Sequence, residues 1–146
     1  MSRALVDLCP LLLPQVCRII AAGQQGHALD LRIIDTLRSP LEQEDNLARG
    51  VSWTKNSLHL PQKECPECKG LSHAVDLAPR ELLSHKLWAP RSQLWERLGD
   101  LGEREGLEWG GNWPNHPDPA HLQLPPWYSP PDATEAPPGS SSNPVA

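Results

Sequence analysis

The spacing of apolar residues changes from one stretch of this chain to the next, and that change restricts the fold more than any other feature of its 146 residues. Leu94, Trp95, Leu98 and Leu101 recur at helical spacing, which predicts a helix from about residue 90 to 106 despite Gly99 and Gly102. Residues 11–22 read as a second helix, with Pro14 tolerated in its first turn and Gly23 or Gly26 ending it. Ser39-Pro40-Leu41-Glu42 is a capping box with proline at the first helical position, so a third helix should run to Arg49 and stop at Gly50. Elsewhere the period is two or the runs are short: residues 29–34, 74–78, 107–109 and 120–124 read as strands. Residues 51–72 have no period and contain Pro61, Pro66 and Gly70, which makes them one long loop. Helices beside a small antiparallel sheet make an α+β domain.

Phenylalanine is absent and tyrosine occurs once, so leucine, isoleucine, valine and six tryptophans must fill the interior. From Pro125 onward the chain holds seven of its 17 prolines and no apolar period. Such a segment buries too little surface to offset its ordering entropy, so residues 129–146 are expected to be a disordered Pro/Ser-rich tail and 1–128 the folded unit. The net charge of −5, with no block of Lys or Arg, argues against a nucleic-acid partner. It also gives no electrostatic attraction to an anionic wall or membrane. No run of 18 apolar residues is long enough to span a bilayer. The leucines near the start are broken by Asp7, Pro10, Pro14 and Arg18, which favours an amphipathic first helix over a signal peptide.

The chemistry-bearing residues fall in order along the chain. Asp118-Pro119-Ala120-His121 puts a carboxylate three residues ahead of an imidazole, just after Trp109-Gly110-Gly111-Asn112-Trp113. Upstream stand His59 in Ser57-Leu58-His59 and Asp76 in Ala74-Val75-Asp76. Two imidazoles and one carboxylate can hold a zinc ion with a place left for water. A further carboxylate beside them can take that water's proton. A lone Asp-x-x-His is more often an ordinary surface loop, so its weight comes from the company it keeps. His73 competes with His59 as a ligand, and His116 more weakly with His121, while His27 and His85 read as surface residues.

Taken together these pieces resemble the zinc D-alanyl-D-alanine carboxypeptidase and L-alanyl-D-glutamate peptidase family, which includes phage endolysins that cut peptidoglycan stem peptides. The pattern is Arg38 and Gln43, Ser57 to His59, Ala74 to Asp76, Trp109 to Trp113, and Asp118 to His121, covering about residues 8–124. The resemblance implies that His59, Asp76 and His121 bind Zn²⁺ and that Asp118 is the general base. It implies that Arg38 holds the substrate carboxylate or the developing oxyanion, with Gln43 and Ser57 as orienting hydrogen-bonders and Trp109 and Trp113 as cleft walls. Arg38 has a plainer alternative, pairing with a helix acid, and the tryptophans a place in the core. The implied protein is a monomeric peptidase acting on a peptidoglycan stem peptide, made in a host cytoplasm and acting at the cell wall or in the periplasm. The alternative is a non-catalytic zinc-binding interaction module on the same fold. Two departures stand out. The first histidine and the aspartate are 17 residues apart where the family has seven, and Ser72 replaces a glycine of the compact motif. Gln123 stands where many relatives carry glutamate.

The added loop contains Cys65-Pro66-Glu67-Cys68, half of a zinc knuckle with no second pair in the sequence. A disulfide clip, a second metal shared with His73 or His85, and no role all stay open, with a structural clip or knuckle ahead of redox catalysis. Cys9 and Cys17 are expected to be small buried hydrophobes, and four cysteines without a secretory signal suit a reducing cytosol.

Overall fold

The capping box at Ser39 forms as read: its side chain accepts from the Glu42 backbone N–H at 3.1 Å while Glu42 accepts from the Ser39 N–H at 3.0 Å. It starts helix α2, Pro40–Ala48. In this computed structural model, which describes residues 2–26, 29–84 and 92–126, the other helices are α1 (Leu13–Gln25), α3 (Arg80–Ser84) and α4 (Gln93–Arg104). Four strands, β1 (Leu31–Asp35), β2 (Ala74–Pro79), β3 (Glu108–Trp109) and β4 (His121–Gln123), form one antiparallel sheet in the order β1-β2-β4-β3. The domain is α+β. Helix α1 runs two to three residues later than its spacing suggests, with Gly23 inside it. The short α3, directly after β2, has no periodic signal in sequence. The expected tail and the expected surface positions His27 and His85 lie outside the described residues.

The core forms between the sheet and the helices. Leu12, Val16 and Ile19 of the α1 segment, Val75, Leu77 and Leu122 of the sheet, and Trp95, Leu98 and Leu101 of α4 belong to one buried cluster, in which α1 packs against α4. The two glycines that lower the helix propensity of α4 sit on its buried face. A methyl group at Gly99 would run into the Trp109 ring, and one at Gly102 into Leu122. They let the α4 backbone lie directly on β3 and β4, so their cost in propensity is offset by close packing.

Ile33 and Asp35 flank an irregularity in β1, and Asp35 ends up opposite Asp76 of β2. Asp76 in turn pairs with His121 of β4. The two central strands therefore carry one acid and one imidazole as cross-strand neighbours, which come within reach of each other because directly opposed side chains stand about 5 Å apart.

Candidate metal centre

Three side chains from distant parts of the sequence point at one spot. His59 Nε2 is 3.1 Å from Asp76 Oδ1, and His121 Nδ1 is 3.2 Å from the same oxygen. One ligand atom from each lies within 4.8 Å of the others, so a single divalent cation fits among them. Neighbouring groups fix which nitrogen each ring presents. His59 Nδ1 is 2.7 Å from the Thr36 carbonyl, which only accepts, so that nitrogen carries the proton and Nε2 offers its lone pair. The second ring is set by a relay: Gln123 Nε2 donates to Glu108 at 2.9 Å, turning Gln123 Oε1 toward His121 Nε2 at 2.8 Å. His121 Nε2 donates there, leaving the Nδ1 lone pair available to a cation. Such outer hydrogen bonds orient metal-binding imidazoles. Gln123 is thus part of the support for His121.

The charges follow from this crowding. Burial alone would push the Asp76 carboxyl up, but the imidazoles of His59 and His121 hold it far below the ordinary carboxylate range. Burial works against protonating His59, yet the carboxylates of Asp76 and Asp35 raise it above the usual histidine value. Asp118 stands at the rim, its Oδ2 4.0 Å from His121 Nδ1. Burial, and the Asp76 charge next to it, push its carboxyl up, the direction that suits a base working near neutral pH.

The Trp-Gly-Gly-Asn-Trp segment makes the turn that seats Asp118. The Asp118 N–H donates to the Gly110 carbonyl at 2.8 Å, and the His121 N–H to the Asp118 carbonyl at 3.1 Å. A Cβ at Gly110 would lie 2.6 Å from the Asp118 carbonyl oxygen and 3.1 Å from His121 Cβ. Gly110→Ala is therefore expected to displace Asp118 and His121 together and, with the two in the roles of base and metal ligand that the resemblance implies, to lower turnover about a hundredfold, as a misplacement of about 1 Å can. Measuring kcat together with circular dichroism checks this, and a folded variant of full activity refutes it.

A cleft of about 1000 Å³ opens over these groups, lined among others by Arg38, Ser57, Trp53, Trp113, Glu108 and Asp118. Ser57 faces it and also accepts from the His59 N–H at 3.2 Å. Trp113 lies over His121, ring centroids 4.9 Å apart, and Trp53 packs edge-on against Trp113. Trp53 is 54 % exposed and stacks on His116, so His116 belongs to the rim and not to the ligand group. Neither Trp53 nor Glu108 has a sequence signal of its own. Both are found only once β3 and the 51–58 loop are placed beside β4.

Two expected cleft positions differ. Trp109 does not wall the cleft: its ring packs over Gly99 and Gly111, and its Nε1 donates to the Pro119 carbonyl at 2.8 Å. Gln43 is not in the cleft either. It is buried behind Arg38, taking a hydrogen bond from Arg38 Nη1 at 2.5 Å and donating to Ser52 and Thr54. Arg38 itself is held by Asp35, on the preceding strand and not on a helix, while still lining the cleft. His73 turns away from the three ligands to Cys68, its Nε2 2.8 Å from the sulfur.

The cysteines also depart from expectation. Cys9 is buried, but it is no isolated hydrophobe: its sulfur reaches bonding distance of Cys68, with Cα atoms 4.5 Å apart and a sequence separation of 59. Cys17 is exposed, because the face of α1 that it occupies points away from the sheet.

Known proteins similar to this chain are peptidases by their descriptions. Residues 70–124 match a family profile described as D-alanyl-D-alanine carboxypeptidase. Over 100 residues, 68 % of the chain, the sequence is 26 % identical to the L-alanyl-D-glutamate peptidase of Listeria phage A118. The match takes in 32 % of that relative, so the chain spans about a third of its length. The fold is similar to the L-Ala D-Glu endopeptidase of Serratia marcescens, with a TM-score of 0.51, 24 % identity and 83 % of both chains covered. The resemblance read from the sequence is thereby borne out by the profile and the phage relative, and the solved structure agrees in fold.

Proposed function

We propose that this chain is a zinc peptidase that hydrolyses an amide bond in peptidoglycan stem peptides, of the L-Ala-D-Glu endopeptidase or D-Ala-D-Ala carboxypeptidase type, and that it serves as a phage-type endolysin. The observation that carries the reading is the convergence of His59 Nε2, Asp76 Oδ1 and His121 Nδ1 beside the Asp118 carboxylate, inside an open cleft. Both rings have their second nitrogen engaged by an outer partner, the arrangement that a bound cation requires. Zinc in such a site lowers the pKa of water toward about 7 and polarises a carbonyl oxygen.

The chain's own groups supply the rest. Asp118 takes the proton of the attacking water and returns it to the nitrogen of the departing amine, so it begins and ends each cycle ionised. Its flanking residues Pro117 and Pro119 restrict the backbone and keep the carboxylate aimed. The Arg38 guanidinium, anchored on Asp35 and Gln43, presents a fixed cationic fork to a substrate carboxylate or to the developing oxyanion. Ser57 adds a hydroxyl at the cleft wall, and Trp113 and Trp53 give an apolar side for the peptide. Gln43 acts through Arg38 as a positioning residue.

Digestion of purified peptidoglycan with and without a chelator, read by mass spectrometry, tests the proposal. New peptide termini are expected only with metal present, and their identity names the bond cut. Zinc binding with no new termini would instead support a non-catalytic module.

A further inference from the structure

The region around Cys68 has four donor atoms where a disulfide would need two. Cys65 Sγ is 2.7 Å from Cys68 Sγ, His73 Nε2 is 2.8 Å from it, and the Cys9 sulfur completes the group. One ligand atom from each of Cys9, Cys65, Cys68 and His73 lies within 4.8 Å of all the others. We propose that the reduced chain binds a second, structural zinc ion through the thiolates of Cys9, Cys65 and Cys68 and the imidazole of His73.

A bond between Cys9 and Cys68 gives no reason for a third sulfur and an imidazole nitrogen to press on the same sulfur atom. Tetrahedral coordination by three sulfurs and one nitrogen does, and a closed set of four protein ligands is the form structural zinc sites take. The backbone is shaped for it. The Cys68 and Lys69 N–H groups donate to the Cys65 carbonyl at 3.1 and 3.3 Å, and Lys69 and Gly70 follow with φ of 47° and 83°. This tight turn aims both sulfurs of Cys65-Pro66-Glu67-Cys68 to one side. The missing half of the knuckle comes from elsewhere in the chain. The Cys9 N–H donates to the Ser72 carbonyl at 2.8 Å, and Leu8 bridges to Ser72, which bring the start of α1 against the loop. His73 is held by its own N–H, which donates to the Leu58 carbonyl at 3.0 Å.

The location gives the ion a task. Residues 60–72 follow directly on His59, which itself lies in a loop, and must return in time to place Asp76 on β2. A metal joining the amino-terminal segment, the tip of this loop and the residue just before β2 fixes that return. It closes the loop as a disulfide would, with the thiols in their reduced form.

Three measurements on protein purified under reductant test the site, and each has a readout other than turnover. Wild-type protein is expected to contain two zinc ions per chain. The His59→Ala/His121→Ala double variant, which lacks two ligands of the first centre, should keep one, with sulfur neighbours at about 2.3 Å by X-ray absorption. Zinc absent from that variant, or bound there by nitrogen and oxygen alone, overturns the proposal without bearing on the peptidase centre. Alkylation gives an internal control, because Cys17 is exposed. Cys17 alone should react before chelation and all four cysteines after it. Cys9 and Cys68 staying blocked after chelation, and opening only to fresh reductant, would establish a disulfide and overturn the site, as would reaction of all four without chelator. Cys65→Ser should lower the zinc content from two to one. A Cys65→Ser protein that still holds two counts against the proposal, and the first two measurements stand if this variant does not fold.

Discussion

Replacing Asp118 with alanine is expected to lower kcat by about a hundred- to ten-thousand-fold, the usual contribution of a positioned general base, while zinc content stays that of the parent protein. The separation follows from geometry. Asp118 Oδ2 is 4.0 Å from His121 Nδ1, at the edge of the ligand group, and the three residues that fit a cation do not include it. Its side chain is also the most exposed of the four, so removing it opens no cavity in the core. Asp118→Asn should behave alike, since the amide keeps the shape and loses the basic oxygen. Steady-state kinetics on a soluble muropeptide, paired with metal analysis, decides the matter. Near-parental kcat in either variant would remove Asp118 from proton transfer, and loss of zinc would make it a ligand instead.

His121→Ala should have the opposite signature: zinc content falls by one ion per chain, turnover falls to background, and added zinc restores neither. The ring is buried between Trp113 and Asp76, and its Nδ1 is one of three donors that converge at the centre among the described residues. Losing the bound ion also removes a source of stability, since a ligand at a thousand times its Kd contributes about 4 kcal/mol. The melting temperature of the variant should therefore match that of chelated parent lacking the same ion. Calorimetry of both proteins, with and without zinc, measures this. A variant that keeps its full complement of zinc and its activity would show that His121 is not a ligand.

Much of the framework was legible because it rests on local signals. The capping box at Ser39 and the apolar spacing of α4 depend on neighbours within one or two turns, and β2 and β4 are short runs between clear breaks. Helix α3 was not legible, since five residues after a strand are too few to show a period. For the site, sequence order and residue type were enough to propose His59, Asp76, His121 and Asp118, and the structure brings these four together. The positions of Trp109 and Gln43 were not readable. Whether a tryptophan faces a cleft or a helix depends on which glycines lie beneath it, and Gly99 meets Trp109 only through tertiary packing. The same holds for Cys9, whose partners are 56 or more residues away in sequence.

Both strands that carry the chemistry lie inside the sheet, each flanked by a neighbour on either side. Their main-chain amides are already committed, so no incoming peptide can add itself as a further strand next to Asp76 or His121. Recognition must fall to side chains and loop atoms reaching across the opening. A ladder of backbone amides favours one handedness, because its register presumes residues of uniform chirality. A groove read by Arg38, Ser57 and two indoles, as proposed above, sets no such condition, which suits the proposed stem peptides with their mixed L- and D-amino acids.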